Sequence, residues 1–190
     1  KKDPRIEELL EGRNVRKDLA LVLDCQEENI SLTEEALSGN IIYHRGNLDL
    51  SYLRSAEGLK LPDKVGGSLY LSNLRSAEGL KLPNEIGGDL DLSGLTSTEG
   101  LKLPDKIGWD LDLSGLTSAE GLELPNEIDG DLYLIGLTSA KGLKLPTKIG
   151  GSIYLTSLKN LDGLDLSSSL ISKIVFSDKI EKQLINRRII

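Results

Sequence analysis

GGDLDLSGLTSTEGLKLPDKI, Gly87 to Ile107, is the third of six consecutive 21-residue units that fill the middle of this chain. The others are RGNLDLSYLRSAEGLKLPDKV from Arg45, GGSLYLSNLRSAEGLKLPNEI from Gly66, GWDLDLSGLTSAEGLELPNEI from Gly108, DGDLYLIGLTSAKGLKLPTKI from Asp129 and GGSIYLTSLKNLDGLDLSSSL from Gly150. A short fixed period is the signature of a solenoid, in which no unit buries its apolar face alone and stacking on neighbours makes the core. Function is then a matter of surfaces, and positions one period apart are neighbours.

Within a unit, two Leu-x-Leu segments lie half a period apart, such as Leu90 with Leu92 and Leu101 with Leu103. Strand side chains alternate faces, so the leucines are expected to point inward and the residue between them outward. Pro83, Pro104 and Pro125 are expected to end the second strand, where a missing N–H is least costly. The glycine pair that follows is expected to turn the corner into the next coil.

The run L-P-x-x-I-G-G-x-L-x-L-x-x-L resembles bacterial leucine-rich repeats of the short class, over Arg45 to Leu170. Leu90, Leu92 and Leu95 overlay the middle of that consensus. Its asparagine is replaced by Leu53, Leu74, Leu95, Leu116, Leu137 and Leu158, which removes the buried asparagine stack. The resemblance implies a recognition module. The expected fold class is a mainly β repeat solenoid, a leucine-rich-repeat-like right-handed coil with parallel short strands on two sides and short helices in the caps.

Solenoid ends need caps, because an open last coil would leave an apolar face and unpaired strand edges in water. Residues 1–44 are expected to form a partly helical N-terminal cap, residues 45–170 the array and residues 171–190 a C-terminal cap. Asp3-Pro-Arg-Ile reads as a helix start, Val15 to Leu23 as a helix or a first buried strand, and Ser31 to Leu37 as a short helix ended by Gly39. Ser169 to Phe176 reads as a half-coil with a strand. Asp178 to Asn186 reads as an amphipathic helix with Ile180, Leu184 and Ile185 on one side.

The net charge of −7 is uneven. The array carries 18 acidic against 12 basic residues, whereas the tail from Ile171 carries 5 basic against 2 acidic. An acidic array argues against a nucleic-acid groove and favours a partner with a basic or polar surface. No apolar run approaches the roughly 18 residues of a membrane span. Cys25 is the sole cysteine and His44 the sole histidine, so no intrachain disulfide, zinc or phosphate-loop pattern exists. The chain is expected to be a monomeric non-enzyme without a cofactor. Lys1 to Glu11 is charged and shows no signal-peptide pattern, so the compartment stays open; an export signal trimmed from the start would place the array at the cell surface or outside.

Read down columns, the residue between the first two leucines is Asp49, Tyr70, Asp91, Asp112, Tyr133 and Tyr154. The residue just before that strand is Asn47, Ser68, Asp89, Asp110, Asp131 and Ser152. Asp is poor in strands and like charges on neighbouring strands repel, so Asp89, Asp91, Asp110, Asp112 and Asp131 together carry a cost without an evident structural return. Tyr and Trp are favoured interface anchors, which singles out Tyr70, Trp109, Tyr133 and Tyr154 beside them. Trp109 replaces a turn glycine and could instead cover a corner of the stack. A module that binds nothing specific, serving as a spacer or stalk, is the alternative. At the last corner the sign alternates through Lys64, Glu85, Lys106, Glu127 and Lys148, which reads as register-setting.

Overall fold

A computed structural model of the chain describes residues 43–165 and 170–186. The units stack as a parallel β-solenoid with one coil per 21-residue repeat and a sheet on each of two sides. The leading sheet is built from β2 (Leu48–Asp49), β4 (Leu69–Tyr70), β6 (Leu90–Asp91), β8 (Leu111–Asp112), β10 (Leu132–Tyr133) and β12 (Ile153–Leu155), and it ends on β13 (Ile174–Phe176). The trailing sheet is built from β1 (Tyr43–His44), β3 (Lys64–Val65), β5 (Glu85–Ile86), β7 (Lys106–Ile107), β9 (Glu127–Ile128) and β11 (Lys148–Ile149). Every pairing is parallel and joins equivalent positions: Leu90 lies opposite Leu69 and Leu111, and Ile107 opposite Ile86 and Ile128.

The core is a set of apolar columns. Leu69, Leu71, Leu74, Leu90, Leu92, Leu95, Leu111, Leu113 and Leu116 are fully buried, with Ile86, Ile107 and Ile128 closing the trailing side. Leu53, Leu74, Leu95, Leu116, Leu137 and Leu158 therefore serve as ordinary core.

The trailing strands are not where the second Leu-x-Leu predicts them. Leu101 and Leu103 lie outside any strand and are only partly buried, and the strand falls at Lys106–Ile107, two residues after Pro104 instead of before it. Backbone accounting gives the reason. The N–H of the first leucine in that segment closes a turn inside its own coil, as in Leu59 to Ala56 O and Leu122 to Ala119 O, and the proline has no N–H to offer. Ladder bonds resume only beyond it. The left-handed backbone also falls elsewhere than expected, at the glycine before this segment: Gly58, Gly79, Gly100, Gly121, Gly142 and Gly163 have φ of 70–85°.

The C-terminal end follows the sequence closely. A short 3-10 turn, Ile171–Lys173, leads into β13, and helix α1 spans Asp178–Asn186. Ile180 and Leu184 bury one turn apart, but Ile185 is 58% exposed, because it lies about 100° further round the helix. Lys173 Nζ donates to Ile149 O, the carbonyl that in earlier coils accepts the next coil's N–H, as Ile128 O accepts from Gly150. A lysine thus stands in for the ladder donor at the open edge of the trailing sheet. Cys25 and the expected elements of the N-terminal cap lie outside the described residues, and no described helix is long and apolar enough to cross a membrane.

Candidate functional site

The leading sheet brings the two variable columns together in register. Asp49 lies opposite Tyr70, Tyr70 opposite Asp91, Asp91 opposite Asp112, Asp112 opposite Tyr133 and Tyr133 opposite Tyr154. All six are half-buried: their leucine neighbours are pulled into the core while their own side chains lie on the outer face.

The column just before the strand does structural work that the sequence does not advertise. Asn47 Oδ1 accepts Ser68 N–H at 2.8 Å, Ser68 Oγ accepts Asp89 N–H at 3.0 Å, and Asp89 Oδ1 accepts Asp110 N–H at 3.2 Å. Asp110 Oδ1 then accepts Asp131 N–H at 2.7 Å, and Asp131 Oδ1 accepts Ser152 N–H at 2.7 Å. The side chains form a polar ladder that satisfies one backbone donor per coil. Asn, Ser and Asp all fill the role, so the ladder needs an acceptor and not a charge.

The same distinction holds one strand position on. Asp49, Asp91 and Asp112 each accept the N–H two residues ahead, from Ser51 at 3.0 Å, Ser93 at 2.9 Å and Ser114 at 2.8 Å. Tyr70, Tyr133 and Tyr154 occupy this position in the other coils, which still turn one residue after the strand. Structure therefore supplies the return that the sequence lacked for placing polar residues here, yet it does not require that so many be anionic.

Tyr133 and Tyr154 stack with ring centroids 4.8 Å apart and planes 8° from parallel. Tyr133 Oη donates to Asp131 Oδ2 at 3.1 Å, which ties the aromatic pair to the acidic ladder. Burial, that hydrogen bond and the negative charges of Asp110 and Asp131 push the Tyr133 phenol up to about 12. Trp109 is 65% exposed at the corner between the sheets, so most of the indole faces solvent instead of covering the stack. Tyr70 lies in the second coil, beside Asp91 and away from the Tyr133–Tyr154 pair. Ile135, 40% exposed just after β10, adds apolar surface near the pair. Its signal was readable: an isoleucine where the other coils place Ser or Thr.

The trailing sheet contrasts with this face. Lys64 pairs with Glu85 at 2.6 Å and Lys148 with Glu127 at 3.6 Å, while Asp129 lies 3.4 Å from Lys106 and 3.9 Å from Lys148. Contact with Lys64 holds the Glu85 carboxyl below its ordinary value. His44 Nε2 lies 3.0 Å from Asn47 O, a turn contact. Among the described residues no cluster of His, Cys, Asp or Glu could hold a metal ion.

Comparison of the chain with protein-family models, with curated proteins and with solved structures gives no match. The geometry of the leading face therefore carries the functional argument by itself.

Proposed function

We propose that the array is a non-catalytic recognition module of leucine-rich-repeat-like character, binding a protein or other macromolecule with a basic or polar surface through its leading sheet. One observation carries this reading. The outer positions before, within and after the leading strands of the six coils hold Asp49, Asp89, Asp91, Asp110, Asp112 and Asp131 and no Lys or Arg, whereas the trailing sheet pairs its charges. Since Asn and Ser also serve as ladder acceptors and coils with Tyr in the strand turn without the Asp hydrogen bond, repeated Asp leaves a uniform field that would steer and hold an oppositely charged partner. Tyr133 and Tyr154 add a rigid aromatic edge, and stacked coils lose little entropy on association.

The test compares partners captured by the wild-type array and by the double variant Asp91→Ser, Asp112→Ser, alongside Tyr133→Ala. A partner should be lost or strongly reduced with the variants while the melting temperature stays within a few degrees. Identical capture by all three would favour the spacer or stalk reading, which the near-identity of the coils supports.

A further inference from the structure

Trp109 occupies a position that the coil geometry reserves for glycine. A Cβ added at Gly88 would lie 2.6 Å from Ser68 N, and one at Gly130 would lie 2.7 Å from Trp109 C and collide with Asp110 Oδ1. These are distances that real side chains do not tolerate, so a residue with a Cβ must push its coil off the one before.

The ladder records that shift. At this position Gly67 donates to Gly46 O, Gly88 to Gly67 O, Gly130 to Trp109 O and Gly151 to Gly130 O, at 2.8–3.1 Å. Among the five described junctions between consecutive repeats, only the Trp109 amide lacks the bond. The neighbouring side-chain rung, Asp110 N–H to Asp89 Oδ1, is the longest of its column at 3.2 Å, against 2.7–3.0 Å elsewhere. Asp129 also replaces a glycine at this corner, and it gains contacts with Lys106 and Lys148. Trp109 gains no comparable packing, since 65% of it stays in solvent. A weakened junction without structural compensation points to a residue kept for an external contact.

We infer that Trp109 is the anchor for a cationic side chain, a Lys or Arg of a basic segment on a partner protein, held by cation–π contact with the indole beside the Asp110 and Asp131 carboxylates. The inference rests on the recognition reading above and names its partner chemistry. Indole is the strongest aromatic acceptor for a cation, and the adjoining leading face carries aspartates with no Lys or Arg among them at its outer strand positions. Neutral or acidic segments would meet the same indole without that charge complementarity.

Trp109 is the sole tryptophan, so fluorescence excited at the red edge of the indole band, where the five tyrosines do not absorb, reports on this site alone. The probe is a capped eight-residue peptide alternating Lys and Gly, with a Glu–Gly peptide as its counterpart. The Lys peptide should change Trp109 emission saturably, and the Glu peptide should not. Binding should weaken about tenfold from 50 to 500 mM NaCl, and about tenfold in Asp110→Ser, Asp131→Ser, a variant that keeps ladder acceptors of the kind Ser68 already supplies. A fluorescein-labelled Lys peptide should bind Trp109→Gly about tenfold more weakly, with no fall in melting temperature. Equal responses to both peptides, an unchanged affinity in the aspartate variant, or a lowered melting temperature for Trp109→Gly would overturn the inference. So would a protein-concentration-dependent emission change without peptide, which would make a second copy the occupant. If the Lys peptide fails while Asp91→Ser, Asp112→Ser still loses a captured partner, the cationic anchor is wrong and the recognition reading stands.

Discussion

Replacing Asp110 separates the two duties that its carboxylate performs. Asp110→Ala removes the acceptor of the Asp131 N–H at 2.7 Å and leaves a part-buried donor without it. A hydrogen bond to a charged group contributes about 1.5–3 kcal/mol, and water can reach part of this site, so the loss should be about 1–2 kcal/mol. Asp110→Asn keeps an acceptor and removes only the charge. Neighbouring coils are about 4.8 Å apart, and at that separation two carboxylates repel by about 0.9 kcal/mol in water. Salt screening removes roughly half. Relief from both Asp89 and Asp131 is then about 0.9 kcal/mol, which nearly offsets the weaker neutral hydrogen bond. The Ala variant should melt about 3–6 °C below wild type and the Asn variant within about 2 °C of it. Differential scanning calorimetry reads both, and hydrogen exchange at the Asp131 amide gives a local measure that should rise only in the Ala variant. Raising NaCl should narrow the gap between wild type and Asn. Equal melting of the two variants would refute the ladder as a source of stability.

The Tyr133 phenol supplies a pH signature. Its folded value near 12 exceeds the ordinary 10, so the stability it contributes is complete below about pH 10 and is lost as pH rises towards 12. Absorbance titration should show one of the five tyrosines ionising late, and Asp131→Ser should move that component towards 10. Two glycines should fail for different reasons: Gly130→Ala forces a Cβ onto Asp110 Oδ1 and Trp109 C, while Gly100→Ala places a side chain at a φ of 75°. Each should destabilise by about 1–3 kcal/mol in urea unfolding, and only Gly130→Ala should also disturb exchange at the Asp131 amide.

The period alone determined the solenoid, because an apolar pattern repeated every 21 residues has one economical burial, equivalent positions stacked at strand spacing. It also determined the face that varies: Asp49, Tyr70, Asp91, Asp112, Tyr133 and Tyr154 are legible in the sequence as one outward column, and the alternation of leucines is the reason. The trailing strands were not legible, since Leu101-Lys-Leu103 alternates as a strand does, and only the use of its amide in a local turn, as at Thr98 O, takes it out of the sheet. The duty of Asn47, Ser68, Asp89, Asp110 and Asp131 was equally hidden, because a side chain that accepts a backbone N–H 21 residues away has no local signature. The same holds for Trp109. Sequence shows a tryptophan in a glycine column, but only the approach of successive coils shows why glycine belongs there and what the exception displaces.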